Sequence, residues 1–271
     1  MKIGLIQQYA SEDIEENIKR GLKAFERASG EGVDLIAYAE LSFEPFYPQR
    51  YSAGKNLSLA QSIPGPMTDI ISEAAAKHNV VTVFNMYEKD GENTYDSSPL
   101  IDSDGKLLGV TRMMHITDFK YFHERDYYTP SEDLPKVFKS AVGNIGIVNC
   151  YDRHYPEVMR SLKLQGAELV IIPQAQTIGE YPDGLFEAEV RVASFQNGYY
   201  SALINRVGLE GEMDFAGKSF ITAPDGKVIA SAVEREDAIL YADLDFSILS
   251  ETIASKYFLK DRRPGDYKIL S

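Results

Sequence analysis

Short apolar runs alternate along this chain with amphipathic stretches of helical period, the pattern of an α/β fold. Residues 2–8 (KIGLIQQ) read as a first strand. Ser11 suits an N-cap, and Glu12 and Asp13 suit a first helical turn. Ile14, Ile18, Leu22 and Phe25 then recur on one helical face, and Gly30 and Gly32 end the helix. A second strand is predicted over 33–39 (VDLIAYA), ending at Glu40. Pro66 opens a helix over 67–78, and 80–88 (VVTVFNMYE) follows as a third strand.

The second half runs in the same order. Residues 144–149 (NIGIVN) parallel KIGLIQ, 156–165 form a helix ended by Gly166, and 167–173 (AELVIIP) parallel VDLIAYA. A helix over 184–197 ends at Gly198, and 199–207 parallel the third strand. Two hairpins, 101–109 and 221–230, carry the same Asp-Gly-Lys turn. A diverged internal duplication follows. The economical arrangement is a four-layer α-β-β-α sandwich: two sheets face to face, helices outside, halves related by a pseudo-twofold. The expectation is one domain over 1–271, with 247–256 as a last helix. The polar tail, 257–271, is expected at a subunit interface.

Composition narrows the partners. The chain has 271 residues, 44% hydrophobic, enough for one large core. The net charge of −13 argues against nucleic acid or an anionic membrane surface as partner. No apolar run is long enough to span a bilayer, and the N-terminal apolar stretch is too short for a signal peptide. The single cysteine, Cys150, excludes an intrachain disulfide and fits the cytoplasm.

Cys150 closes an apolar strand ahead of a helix, where α/β folds place reacting groups. A nearby helix N-terminus would favour its thiolate. Position alone leaves a buried structural cysteine as the simpler reading. Glu40, taken alone, reads as a solvated strand end. The duplication nevertheless aims both strand ends at one edge, so Glu40 and Cys150 can meet.

In context, these residues resemble the nitrilase, or carbon–nitrogen hydrolase, superfamily. The similarity spans nearly the whole chain. It is carried by AELSFEPFYP around Glu40, RMMHITDFKYFHERDYYTPSED at 112–133, GIVNCYDRHYPE around Cys150, INRVG at 204–208, FAGKSFITAPDGKVIA at 215–230 and the RRPGDY tail. The resemblance implies the same α-β-β-α sandwich, paired into a homodimer or higher homo-oligomer. It implies a Glu–Lys–Cys chemistry on a small amide or carbamoyl substrate, with no metal or organic cofactor. By motif position Cys150 is the nucleophile, Glu40 its base, Glu124 a second glutamate, and His115 a pocket-shaping histidine. A positioned carboxylate can take the thiol proton and return it to the leaving amine.

The chain departs from this pattern at one position. Where the family has lysine, Met113 stands between Arg112 and Met114-His115. A thioether carries no charge. Losing one oxyanion donor costs about 2.7–4 kcal/mol. Arg112 should point to the opposite face of an extended segment. Lys120 could swing in from a loop, although a solvated lysine is the plainer reading. Three readings remain: a hydrolase with a substitute donor or substrate assistance, a hydrolase disabled at one position, or a weak or inactive small-molecule-binding or regulatory homologue.

Tyr47 is the candidate aromatic wall residue, and Gln174 and Gln176, at the strand end mirroring Glu40's, are candidates for contact with a substrate amide. A Cys150–His154 dyad sits poorly for oriented proton transfer. No serine-hydrolase elbow, dinucleotide fingerprint or P-loop is present.

Overall fold

The computed structural model describes residues 1–54 and 56–267. Two sheets pack face to face. In the first, strand Lys2–Gln7 lies parallel to Leu35–Tyr38, which lies parallel to Val81–Val83. In the second, Gly143–Ile147, Leu169–Gln174 and Tyr200–Asn205 repeat that parallel order. Parallel strands are buried on both faces, and Leu35–Tyr38 and Leu169–Gln174 are buried at every position.

Ile3, Leu5, Leu35, Ile145, Leu169 and Ile171 meet between the sheets. Helices Ile14–Gly30 and Pro66–His78 cover the outer face of the first sheet. Pro156–Leu164 and Leu185–Asn197 cover the second. This is the expected α-β-β-α sandwich. Truncating a midplane residue such as Ile171 to alanine costs about 2–5 kcal/mol. One element crosses between halves: strand Ala238–Asp243, near the C-terminus, pairs antiparallel with Lys2–Gln7.

Several boundaries differ from the sequence reading. The N-cap of the first helix is Asp13, whose carboxylate accepts from Glu16 N; the Ser11 hydroxyl and amide bind Asn17 instead. The strand expected over 80–88 is two strands, Val81–Val83 and Met86–Asp90, because Asn85 turns inward to a buried polar network. The strand expected over 199–207 likewise ends at Asn205, and Val207–Glu210 pairs separately with Met213–Ala216. The last helix is a 3-10 turn, Phe246–Glu251, followed by the π-helical turn Ala254–Phe258. Residues 259–267 are mostly exposed, and the remainder of the tail lies outside the described residues. Both hairpins form, with Gly105 and Gly226 at φ +85 and +80 in their turns.

Candidate active site

Glu40 follows the fully buried strand Leu35–Tyr38, and the chain bends at Leu41, φ +43. Two buried side chains hold this bend. Asn85 Oδ1 accepts from Leu41 N at 2.7 Å. Arg206 Nη1 donates to Glu40 O at 2.7 Å and to Leu41 O, and its Nη2 donates to Glu44 O at 2.9 Å. Arg206 itself is anchored by Glu210 at 2.6 Å. Glu40 is fully buried, which corrects the solvated strand end expected from the sequence.

Cys150 opens a 3-10 turn, Cys150–His154, beyond strand Gly143–Ile147. Its φ is +40, a conformation that costs a non-glycine residue about 1–3 kcal/mol and that a built site can hold. Asn149 beside it donates to Asp96 O and Thr111 O and accepts from Ser98 Oγ at 2.8 Å, which ties the turn to the first sheet. The longer helix begins at Pro156, beyond this 3-10 turn.

The sequence-predicted carboxylates come to this turn. Donor atoms of Glu40, Glu124 and Cys150 lie within 4.8 Å of one another, and Glu40 and Glu124 are fully buried. Glu124 reaches the site from a 3-10 turn, Glu124–Asp126, and one of its oxygens accepts from Thr117 N at 3.4 Å. Both oxygens of Glu40, one of Glu124, one of Asp96 and the Tyr128 hydroxyl are buried without a hydrogen-bond partner. Gln174 Nε2 donates to the Cys150 sulfur at 3.2 Å, so this candidate also joins the site.

Met113 lies just past strand Leu107–Arg112, 1% exposed, in one apolar cluster with Cys150, Leu41, Tyr128 and Ala175. Its position is set by backbone bonds to Asp96 O and from Ser131 N, both 2.9 Å. Arg112 points away, to Glu88 and Asp90, as the alternation of an extended strand requires. Lys120 is exposed, its ammonium 4.7 Å above the Tyr121 ring. His115 is held by Asp152 at 2.6 Å and stacks on Tyr155 at 3.5 Å. Asp152 also accepts from Met114 N and His115 N, both at 2.9 Å, and so fastens segment 113–115 to the cysteine turn. Tyr47 packs on the same cluster, 5.9 Å from the Tyr87 ring. Gln176 sits at the strand end, its backbone N–H on Asn205 Oδ1 at 2.7 Å. His154 faces Glu189 and Tyr181 instead of the sulfur, which leaves no dyad.

Charge in this pocket is expensive. Burial, then the Glu124 charge, pushes Glu40 up to about 8, while the thiol of Cys150 and the Arg206 guanidinium oppose the rise. Asp96 and Glu124 are pushed well above the carboxylate range, mainly by burial and then by each other's neighbourhood of acids. Burial, then Glu40 and Glu124, raises the Cys150 thiol as well; Arg153 opposes. Burial and mutual repulsion thus raise the acids and the thiol together, the reverse of the thiolate-favouring setting expected of Cys150. No helix among the described residues is long and apolar enough to cross a membrane.

Comparison with known proteins matches this architecture. The carbon–nitrogen hydrolase family profile covers residues 2–254. This chain belongs to that family. The carbon–nitrogen hydrolase is 30% identical to the N-carbamoylputrescine amidase of Solanum lycopersicum, over 99% of this chain and 94% of that one. It is 29% identical to the citrullinase of Francisella tularensis subsp. tularensis, over 98% and 96%. A crystal structure of a carbon–nitrogen hydrolase from Helicobacter pylori G27 superposes with a TM-score of 0.93 at 27% identity, over 100% of this chain and 98% of that one.

Four supporting residues of the hydrolase escaped sequence reasoning: Asp96, Asp152, Arg153 and Arg206. Arg206 stood inside the INRVG block, and Asp152 and Arg153 beside Cys150, so each carried a signal. Asp96, in the polar stretch YDSSP, carried none before the strands were paired.

Proposed function

We propose that this carbon–nitrogen hydrolase cleaves a small amide or carbamoyl compound through a thioester on Cys150. The observation that supports this most is the gathering of Glu40, Glu124 and Cys150 within 4.8 Å. Glu40 takes the thiol proton and later protonates the departing amine. Glu124 orients the substrate, and Gln174 holds the sulfur. His115 and Tyr47 shape the pocket. Water then cleaves the thioester. Met113 stands in the lysine's place, so the oxyanion of a neutral carbonyl lacks a charged donor, and turnover of such substrates is slow. That same loss favours a second reading, a homologue that binds its ligand without turning it over.

The test is ammonia release from amide and carbamoyl panels by the unmodified chain, Cys150→Ala and Met113→Lys. Release that Cys150→Ala abolishes, raised by Met113→Lys, is the expected result. Release unaffected by Cys150→Ala sinks the mechanism, and silence of both unmodified chain and Met113→Lys favours the binding reading.

A homodimer seated on the C-terminal tail is also proposed; the exposed apolar side chains of Ile253, just before that tail, and of Tyr257 and Phe258, at its start, support it. A stable monomer in light scattering at micromolar concentration would exclude it. The single free thiol favours a reducing, cytoplasmic setting.

A further inference from the structure

The absence of a charged donor and the excess of buried acid form one pattern. Glu40 and Glu124 lie against Cys150 and Asp96 beside Glu40; together they present four unpartnered oxygens, and the Tyr128 hydroxyl is unpartnered beside them. Met113, the uncharged residue at the motif position of the family lysine, packs beside Cys150 and Tyr128. The bordering guanidinium groups are engaged elsewhere. Arg206 is spent on three backbone carbonyls and Glu210. Arg153 Nη1 donates to Cys150 O at 3.0 Å and Gln174 Oε1 at 2.7 Å, and its Nε pairs ionically with Glu189 at 3.3 Å, although Nε and Nη2 keep no hydrogen-bond partner. The buried acids thus outnumber the cations that face them, Arg153 at Cys150 and Arg206 at Glu40, and such a cluster beside aromatic rings suits a ligand that brings a further cation with it.

We propose that the group hydrolysed at Cys150 is an amidinium or guanidinium, the cationic nitrogen counterpart of an amide or urea. This rests on the reading of Cys150 as nucleophile and Glu40 as base. The carboxylates of Glu124 and Asp96 accept the planar N–H groups of the substrate. Glu40 takes the thiol proton, the sulfur forms a bond to the central carbon, and the C=N electron pair moves onto nitrogen. The cation thereby becomes a neutral tetrahedral adduct. A neutral carbonyl attacked in the same way would place a full negative charge among these carboxylates. No lysine is required for the cationic substrate, and one would repel it.

The remaining steps balance. Glu40 passes its proton to one amino group, which leaves as ammonia, and the carbon stays on sulfur as a cationic thioimidate or thiouronium. Water adds to that carbon and gives a proton to Glu40. The C–S bond then breaks toward sulfur while the new hydroxyl loses its proton to it, which restores the thiol and releases an amide or a urea. The proton left on Glu40 goes to ammonia. Net, an amidinium and water become an amide and ammonium.

The experiment compares ammonia release from matched pairs, acetamidinium with acetamide and methylguanidinium with methylurea, in the unmodified chain, Met113→Lys, Arg153→Leu and Cys150→Ala. The expected result is kcat/KM at least about tenfold higher for the cationic member in the unmodified chain, lost in Cys150→Ala and inverted in Met113→Lys. Cys150-dependent release that favours the neutral member overturns the inference and leaves the amidase reading standing. If Arg153→Leu also abolishes that neutral activity, Arg153 is the missing donor. Release from neither class, or release that survives Cys150→Ala, overturns both.

Discussion

Gln174 donates from Nε2 to the Cys150 sulfur at 3.2 Å, while its Oε1 accepts from Arg153 at 2.7 Å. The amide is thus locked in the orientation that points N–H at sulfur, a contact that favours the thiolate in a pocket whose burial and acids oppose it. A hydrogen bond to a charged group contributes about 1.5–3 kcal/mol. Gln174→Leu should slow alkylation of Cys150 by iodoacetamide about tenfold at fixed pH and move its midpoint up by about one unit. An unchanged midpoint would leave Gln174 a packing residue.

In the proposed mechanism Glu40 acts as base only when ionised, and burial raises its pKa to about 8. The kcat/KM profile should therefore climb with pH through a midpoint near 8, well above an ordinary carboxylate. Glu40→Gln should remove that limb together with most of the activity. A profile already flat from pH 6 upward would assign the base elsewhere.

Stability should move the opposite way. Glu40, Glu124 and Asp96 are raised in the fold, so between their unfolded values and the folded value of about 8 for Glu40 the native state holds more protons than the unfolded state. Their contribution is present at low pH and is lost as pH rises through that window. The urea midpoint should be lower at pH 8.5 than at pH 5.5, and Met113→Lys, which supplies a cation, should shrink the difference. A midpoint that rises with pH in both proteins would contradict this charge picture.

Arg206 joins the halves at the base of the site, through Glu40 O, Leu41 O, Glu44 O and Glu210. Arg206→Met strands the Glu210 carboxylate in the interior. Breaking a buried pair in this way costs about 3–5 kcal/mol. Denaturant titration should register that loss, and Arg206→Met,Glu210→Leu should recover part of it. Equal losses in the single and double variants would refute the ion-pair explanation.

Much of the scaffold was legible from local pattern. The helix from Pro66 to His78 and the one from Leu185 to Asn197 sit within a residue of their sequence readings, because proline and left-handed cap residues mark their ends. The strands broken at Asn85 and Asn205 were not legible as breaks. Asn85 lies outside the ladder and Asn205 is its last paired residue, and the side chain of each satisfies polar groups supplied by distant segments. The terminal segment read as a helix becomes 3-10 and π turns, a choice its local period does not encode.

The sequence by itself determined the sandwich and the duplication, since both rest on periodicity, and through its resemblance to the family it named Glu40, Glu124 and Cys150 as candidates. It also determined that position 113 carries no charge. Only the tertiary structure decided that Glu40 is fully buried and that Asp96 joins the acids, whereas the surface position of Lys120 and the outward turn of Arg112 follow the sequence reading. Charge balance in a pocket is a sum over elements distant in the chain and brought together by sheet pairing, and the cost of each charge depends on burial that no local segment specifies.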